Sequence, residues 1–206
     1  MQEEPGLRAA RLKQTWLDIH YAAAEDCLKS GPENVNTAKI AESVGVSSRT
    51  FFNYFATKED AILGIGRPEL RPKHLEAFLK ATRQPPLLRV CLLTVSVVAT
   101  ALGKSSDQRY RLDLVKKYPE LNTRMTDTVL KARDLVLDEL VLDAEELWLG
   151  AQGMPTDRDE AQVLVMVAFS VLAFSWRRDP QLLAENPEKA LKDSIQIVVS
   201  TVDKSL

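Results

Sequence analysis

Apolar residues recur at helical spacing along almost the whole chain. Near the N-terminus, five of them follow one another at intervals of three or four residues: Leu12, Trp16, Ile19, Ala23 and Cys27. This spacing places them on one face of an α-helix over about residues 7–30, which Gly31 and Pro32 end. Because no segment alternates apolar and polar residues as a half-buried strand does, the sequence predicts an all-α fold.

The same periodicity predicts long helices in the rest of the chain. Three of them cover residues 87–103, 159–177 and 188–204. A fourth begins just after Pro119 and reaches Leu147. Prolines at positions 68, 72, 85 and 86 are interpreted as breaks. The expected organisation is a small N-terminal domain, residues 1–66, followed by a larger helical domain, residues 67–206.

Composition excludes several classes of protein. With 45% hydrophobic and 27% charged residues, the 206-residue chain is too apolar to be disordered. A net charge of -2 excludes a protein that coats nucleic acid by bulk charge, although a local basic surface remains compatible with it. Two cysteines, Cys27 and Cys91, are too few for a disulfide scaffold or a four-cysteine zinc site, and we expect both to be buried free thiols.

The sequence contains few candidate metal ligands or catalytic residues. His20 and His74 have no cysteine or acidic cluster at metal-ligand spacing, so no metal or cofactor is predicted. No Ser-His-Asp set, glycine-rich phosphate loop or pair of catalytic carboxylates stands out, which argues against an enzyme. An all-α enzyme remains an alternative that a turnover assay would expose.

No segment is predicted to enter a membrane. The longest uncharged stretch, residues 161–176, has 16 residues, fewer than the roughly 18 to 20 that cross a bilayer. Glu3, Glu4 and Pro5 stand where a signal peptide would carry a basic and then an apolar region. We therefore expect a cytoplasmic protein.

Residues 35–63 have the pattern of a helix-turn-helix. Ile40 and Val44 fit the inner face of a short helix, and Gly45 supplies the positive φ that ends it. Ser47 or Ser48 can then cap a second short helix. In a helix-turn-helix of the DNA-binding type, that second helix enters the major groove.

Helical angles assign the faces of this second helix. At about 100° per residue, Phe51 and Phe55 point together to the core, and Arg49 and Asn53 point outward. Arg can bond two acceptors on guanine and Asn can pair with adenine, so the outward pair suits base edges. The alternative is plain helix packing with a solvated Arg/Asn face.

The flanks of this helix carry the remaining candidates. Thr50 and Phe52 lie beside the outward pair, and Tyr54 lies nearer the core edge. Thr57 is predicted to cap the next helix, which places Lys58 in its first turn, where an ammonium and free backbone N–H groups can bind one phosphate.

Charge is the opposing observation. Residues 1–66 contain seven basic and nine acidic side chains. DNA binding therefore requires the basic side chains to gather on one face: Arg8, Arg11, Lys13, Lys39, Arg49 and Lys58.

This segment resembles the TetR family of bacterial transcriptional regulators. The residues that match the family pattern are Thr37, Ile40, Ala41, Gly45, Val46, Ser47, Thr50, Tyr54, Phe55 and Lys58. By that resemblance Thr37, Tyr54 and Lys58 hold phosphates, and the recognition helix over residues 48–54 reads bases. The predicted DNA-contacting set is Thr37, Lys39, Ser47, Ser48, Arg49, Thr50, Phe52, Asn53, Tyr54 and Lys58.

Two residues depart from the family pattern. Arg49 stands where the family often has Gly, so it adds a base or phosphate contact that many relatives lack. Phe52 stands where the family often has Tyr. Without a hydroxyl group, Phe52 offers only apolar contact, for instance with a thymine methyl group.

The resemblance also implies a homodimer that binds a double-stranded operator with inverted-repeat symmetry. It implies further that a small molecule releases this dimer from the operator. The dimer is expected through the helices at 159–177 and 188–204. The first of these has apolar residues on more than one face, with Val163, Val167 and Ser170 on one side and Ala168 and Leu172 on another. The alternative is a helix sunk in the core of a monomer.

A ligand pocket is expected among the helices of the larger domain. Its predicted lining is Thr94, Val98, Tyr110, Leu114, Phe169 and Trp176, which suits an apolar or amphipathic effector. Each of these residues is more often part of an ordinary core than of a pocket. The rival function is a helical small-molecule-binding or interaction protein that no longer binds DNA.

Overall fold

The computed structural model describes residues 5–102, 108–142 and 153–205. Within these ranges it contains helices and connecting turns and no strand, which confirms the all-α class. Short 3₁₀ turns occupy Pro32–Asn34 and Pro119–Leu121, and a π-helical turn occupies Asp138–Leu142. The α-helices are α1 (Pro5–Ser30), α2 (Thr37–Val44), α3 (Ser48–Tyr54), α4 (Lys58–Leu63), α5 (Pro72–Lys80), α6 (Pro86–Leu102), α7 (Gln108–Lys117), α8 (Asn122–Leu137), α9 (Arg158–Arg178), α10 (Pro180–Glu185) and α11 (Pro187–Asp203).

Side-chain oxygens cap the starts of six of these helices. Each accepts a hydrogen bond from a backbone N–H of the first turn, where the helix itself offers no acceptor. The capping residues are Asn36, Ser47, Thr57, Asp157, Asp179 and Asn186. These short polar side chains explain where α2, α3, α4, α9, α10 and α11 begin.

The described residues form two compact units. The first contains the residues up to Arg67 together with the described ones between Leu102 and Asp127, so it includes α7 and the start of α8. In this unit α1 packs against α2 and α4, and α2 packs against α3. The domain limits of 1–66 and 67–206 stay a prediction.

The second unit contains Pro68–Ala101 and the described residues from Thr128 onward. Here α9 packs against α10 and α11, and its inward face buries Ala168, Val171 and Leu172. Buried Arg89 donates from its guanidinium group to the carbonyl oxygen of Phe78 at 3.0 Å and lies 4.6 Å from the centre of the Phe78 ring.

Helix α9 is long and apolar enough to cross a membrane by length and composition. The core helix of a soluble protein meets the same criterion, and a third of the apolar window of α9 (33%) is buried inside this fold. Its 16 uncharged residues lie between charged ends, Arg158 to Glu160 on one side and Arg177 with Arg178 on the other.

The sequence does not predict α5 or α10, both of which begin at a proline, and of these two prolines only Pro72 is interpreted as a break. Pro72 is the first residue of α5 and Pro180 is the first residue of α10. Proline fits this position because the first turn of a helix leaves its N–H groups without an internal partner. The long helix predicted after Pro119 corresponds to α8, which continues directly into the π-helical turn at Asp138–Leu142, and its predicted end at Leu147 lies outside the described residues.

Both cysteines are free and buried, as predicted. Burial in apolar surroundings raises the pKa of the Cys27 thiol to about 11 and that of the Cys91 thiol to about 12. At neutral pH both are therefore protonated and poorly nucleophilic. The Cys91 thiol donates a weak hydrogen bond to the carbonyl oxygen of Ala168 at 3.7 Å.

Gly64 ends α4 in a left-handed conformation that lies directly against a buried ring. Its φ is 59°, and a Cβ added to it would lie 2.8 Å from Cε1 of His20. The His20 ring is fixed there because Nδ1 donates to the carbonyl oxygen of Ala61 at 2.8 Å. Any side chain at this position therefore meets both backbone strain and a steric clash.

We predict that Gly64→Ala lowers the free energy of unfolding by about 3 kcal/mol, from the left-handed backbone and overpacking together. The matched control is Gly45→Ala, because Gly45 has a φ of 76° but open space around its added Cβ. The control should cost only about 1 kcal/mol. Urea denaturation of the two variants measures the difference, and equal losses would show that the His20 ring moves aside freely.

Candidate DNA-binding site

The turn between α2 and α3 closes on Gly45. This glycine has φ 76° and ψ 30°, so the predicted positive φ is confirmed. The N–H of Gly45 donates to Glu42 at 3.0 Å, and the N–H of Val46 donates to Ala41 at 2.8 Å. These bonds satisfy the last carbonyl groups of α2 and direct the chain into α3.

Ser47 caps α3. Its hydroxyl oxygen accepts the N–H of Thr50 at 3.0 Å, and the two hydroxyl groups lie 2.9 Å apart. Of the two serines that the sequence offered as caps, Ser47 is therefore the one used. Ser48, the first residue of α3, is exposed.

The two faces of α3 divide as the helical angles predict. Phe51 and Phe55 are buried, and the ring of Phe55 lies 5.1 Å from that of Trp16 on α1. Arg49 and Asn53 are exposed on the opposite face. The side chains of Thr50 and Tyr54 are half-buried on the flanks.

Of the other candidates, Phe52 is exposed on α3, and three lie on α2 and α4. Thr37 is half-buried and Lys39 exposed in the first turn of α2. Lys58 begins α4 after its cap, Thr57, as predicted, and its Nζ donates to the backbone carbonyl oxygen of Glu33 at 2.9 Å. That contact holds the Lys58 ammonium beside the first turn of α4, with N–H donors left for a further acceptor.

An ion pair with a residue distant in sequence holds α4 in place, and the sequence alone does not indicate this pairing. Asp60 of α4 is buried, and both of its carboxylate oxygens accept hydrogen bonds at 2.8 Å from Arg124 of α8. Burial disfavours the charge of Arg124, but the hydrogen bonds and charge of Asp60 outweigh it. The pKa of Arg124 therefore lies above its usual value.

A second arginine holds the other end of α4. The guanidinium group of buried Arg111, on α7, donates to Leu63 at 2.7 Å, to Gly64 at 3.3 Å and to Leu102 at 2.7 Å, in each case at the backbone carbonyl oxygen. Because these carbonyl groups end helices, the positive charge is favourable there. No sequence periodicity marks Arg111 or Arg124 as anchors of α4.

The residues predicted to line a ligand pocket do not all belong to one compact unit. Tyr110 and Leu114 belong to the first unit, and the other four belong to the second: Thr94, Val98, Phe169 and Trp176. The hydroxyl of buried Thr94 already donates to the carbonyl oxygen of Val90 at 2.9 Å. Burial raises the pKa of Tyr110. The pocket itself stays a prediction.

Among the residues that the structure describes, no three His, Cys, Asp or Glu side chains lie close enough together to bind a metal ion.

Two short helices at a tight glycine turn, one with an exposed polar face, define a helix-turn-helix protein. Residues 21–63 match the family model described as bacterial regulatory proteins, tetR family. The chain is also 42% identical over 59 residues to the HTH-type transcriptional regulator TcmR of Streptomyces glaucescens. That match covers 29% of this chain and 26% of the relative. This N-terminal segment is therefore similar to the helix-turn-helix of the TetR family, the DNA-binding domain of transcription regulators.

We predict that Asp60→Asn lowers the free energy of unfolding by about 2 kcal/mol, because it leaves the half-buried Arg124 guanidinium without its main counter-charge. The matched control is Asp134→Asn, which breaks another Arg–Asp pair, at 2.6 Å, whose carboxylate side chain is 54% exposed. The control should cost less than about 0.5 kcal/mol. Similar small losses for both variants in chemical denaturation would contradict the assigned role of Arg124.

Proposed function

We propose that the protein is a transcriptional repressor that binds an inverted-repeat operator as a homodimer in the cytoplasm and is released by a small apolar or amphipathic molecule. The observation that carries the DNA-binding part is the division of α3. The side with Phe51 and Phe55 is buried, and Arg49 and Asn53 are exposed on the other side. When one face of a helix packs against the protein core, the opposite face is accessible to the major groove of DNA.

The exposed pair supplies the chemistry of base recognition. The Arg49 guanidinium can donate two hydrogen bonds to O6 and N7 of guanine, and the Asn53 amide can pair with N6 and N7 of adenine. They lie four residues apart, on one stripe of the helix, so they face neighbouring base pairs.

Side chains around α3 supply the phosphate contacts in this proposal. Thr37, Lys39 and Lys58 lie in the first turns of α2 and α4, where backbone N–H groups and the helix dipole favour an anion. Ser47, Ser48, Thr50 and Tyr54 add hydroxyl groups along α3. Such contacts fix the register of the helix on DNA without reading sequence.

The dimer is proposed through α9 and α11. On α9, Val163 and Met166 are each 57% exposed, and on α11, Val202 is 50% exposed. Since the opposite side of α9 is buried in its own unit, these apolar residues form an outer face that association would cover. A two-fold dimer of this kind places two recognition helices about one turn of DNA apart, or a little more.

The effector part of the proposal depends on the family resemblance and on the Leu-, Val- and Ala-rich composition of α6 and α9. A ligand that favours a wider separation of the two recognition helices lowers operator affinity by shifting the population of dimers. An apolar or amphipathic molecule suits helices of this composition.

We predict that Arg49→Ala and Asn53→Ala each weaken binding to the preferred DNA by about 1 to 3 kcal/mol and relax preference at one base pair per half-site. The DNA is obtained by selection from a random pool at fixed salt, and affinities are measured by titration. Arg83→Ala removes the same charge at an exposed position outside α3 and serves as the control. Unchanged affinity in both α3 variants would contradict the assigned reading face.

We predict that Met166→Lys combined with Val202→Lys raises the dimer dissociation constant roughly 30-fold or more, because two charges enter an apolar interface. Sedimentation velocity over a range of concentrations measures this constant. Leu28→Lys changes an equally large apolar residue, 38% exposed on α1, and should leave the dimer intact. A double variant that stays dimeric would contradict the proposed interface.

A further inference from the structure

Phe52 is an exposed aromatic residue at the edge of the face of α3 that is proposed to meet DNA. Its side chain is 52% exposed, in contrast to the buried rings of Phe51 and Phe55 on the same helix. At about 100° per residue, Arg49 lies between the other two on the helix surface, with Phe52 about 60° to one side of it and Asn53 about 40° to the other.

The ring of Phe52 has a defined support. Its centroid lies 5.2 Å from that of Phe51, with the two ring planes at 75°, which is a favourable edge-to-face geometry. Because Phe51 is fully buried, this contact orients Phe52 from below while its outer side faces solvent. The ring is therefore an ordered apolar surface beside the polar side chains of Arg49 and Asn53.

We propose that Phe52 is a specificity-determining residue that reads the C5 methyl group of a thymine in each half-site. This inference rests on the proposed function, because it requires that α3 enter the major groove. In that groove the thymine methyl group is the only apolar feature on a base-pair edge, and an aromatic carbon surface is a suitable partner. A phenyl ring has no hydroxyl group with which to bind phosphate instead.

The test removes the methyl group alone. DNA selected by the full-length chain from a random pool is resynthesised with deoxyuridine replacing each thymine in turn, in both half-sites. Uracil keeps every hydrogen-bonding group of thymine. Loss of one buried methyl group should weaken wild-type binding about four-fold per half-site at the thymine that Phe52 contacts.

The same series is measured with Phe52→Ala and Phe52→Leu. With Ala, thymine and uracil at that position should bind equally, whereas Leu, which keeps an apolar surface, should retain part of the difference. If Phe52 served only to cover Phe51, Phe52→Ala would lower stability while the preference for thymine over uracil persisted.

Two results would overturn the inference while leaving the proposed function intact. Either no thymine is sensitive to loss of its methyl group, or the sensitivity is the same in the wild type and in Phe52→Ala. Selection that enriches no DNA sequence would overturn the proposed function, and this inference with it.

Discussion

The position of α3, the proposed recognition helix, depends on the burial of Phe51 and Phe55. Helix α3 has seven residues, too few to be stable as an isolated helix in water. Its stability therefore comes from packing, and the two rings, four residues apart, fix which side faces the core. The opposite side, with Arg49 and Asn53, is outward as a consequence of that packing.

The short helix after α3 needs the same kind of external support. Helix α4 has six residues, and it is held at both ends by groups distant in sequence. Arg124 pairs with Asp60 near its start, and Arg111 bonds the carbonyl groups of Leu63 and Gly64 at its end. The His20 ring closes against Gly64, which leaves no room there for a side chain. The orientation of α4, and with it the position of Lys58, is therefore determined by α1, α7 and α8.

The structural features that could be predicted from the sequence are those determined by residues close to one another in the chain. Gly45 ends α2 and Thr57 caps α4 through hydrogen bonds to residues close in sequence. The four-residue spacing of Phe51 and Phe55 places both rings on the same face of a helix. These features are therefore predictable from the sequence. The Arg124–Asp60 pair spans 64 residues, and the contact from Arg111 to Leu63 spans 48. No periodicity in a single sequence identifies such partners, since any of the many charged residues fits the pattern equally well.

The same reasoning explains the other differences. Pro72 and Pro180 begin helices, and a proline at a boundary is compatible with either a break or a start until the following turn is known. Lys58 is predicted as a phosphate ligand, and its additional contact with the carbonyl oxygen of Glu33, which the sequence does not indicate, depends on how the chain folds back from the end of α1. The predicted pocket residues are mostly apolar, and apolar composition alone does not distinguish a cavity from a core.

The most direct test of the account is methylation interference on the selected DNA. Dimethyl sulfate places a methyl group on N7 of guanine in the major groove and on N3 of adenine in the minor groove. We predict that a methyl group on one guanine per half-site prevents binding by the wild type, and that Arg49→Ala loses this sensitivity. Interference only at adenine N3 would show that the protein reads the minor groove, which would contradict the role assigned to α3.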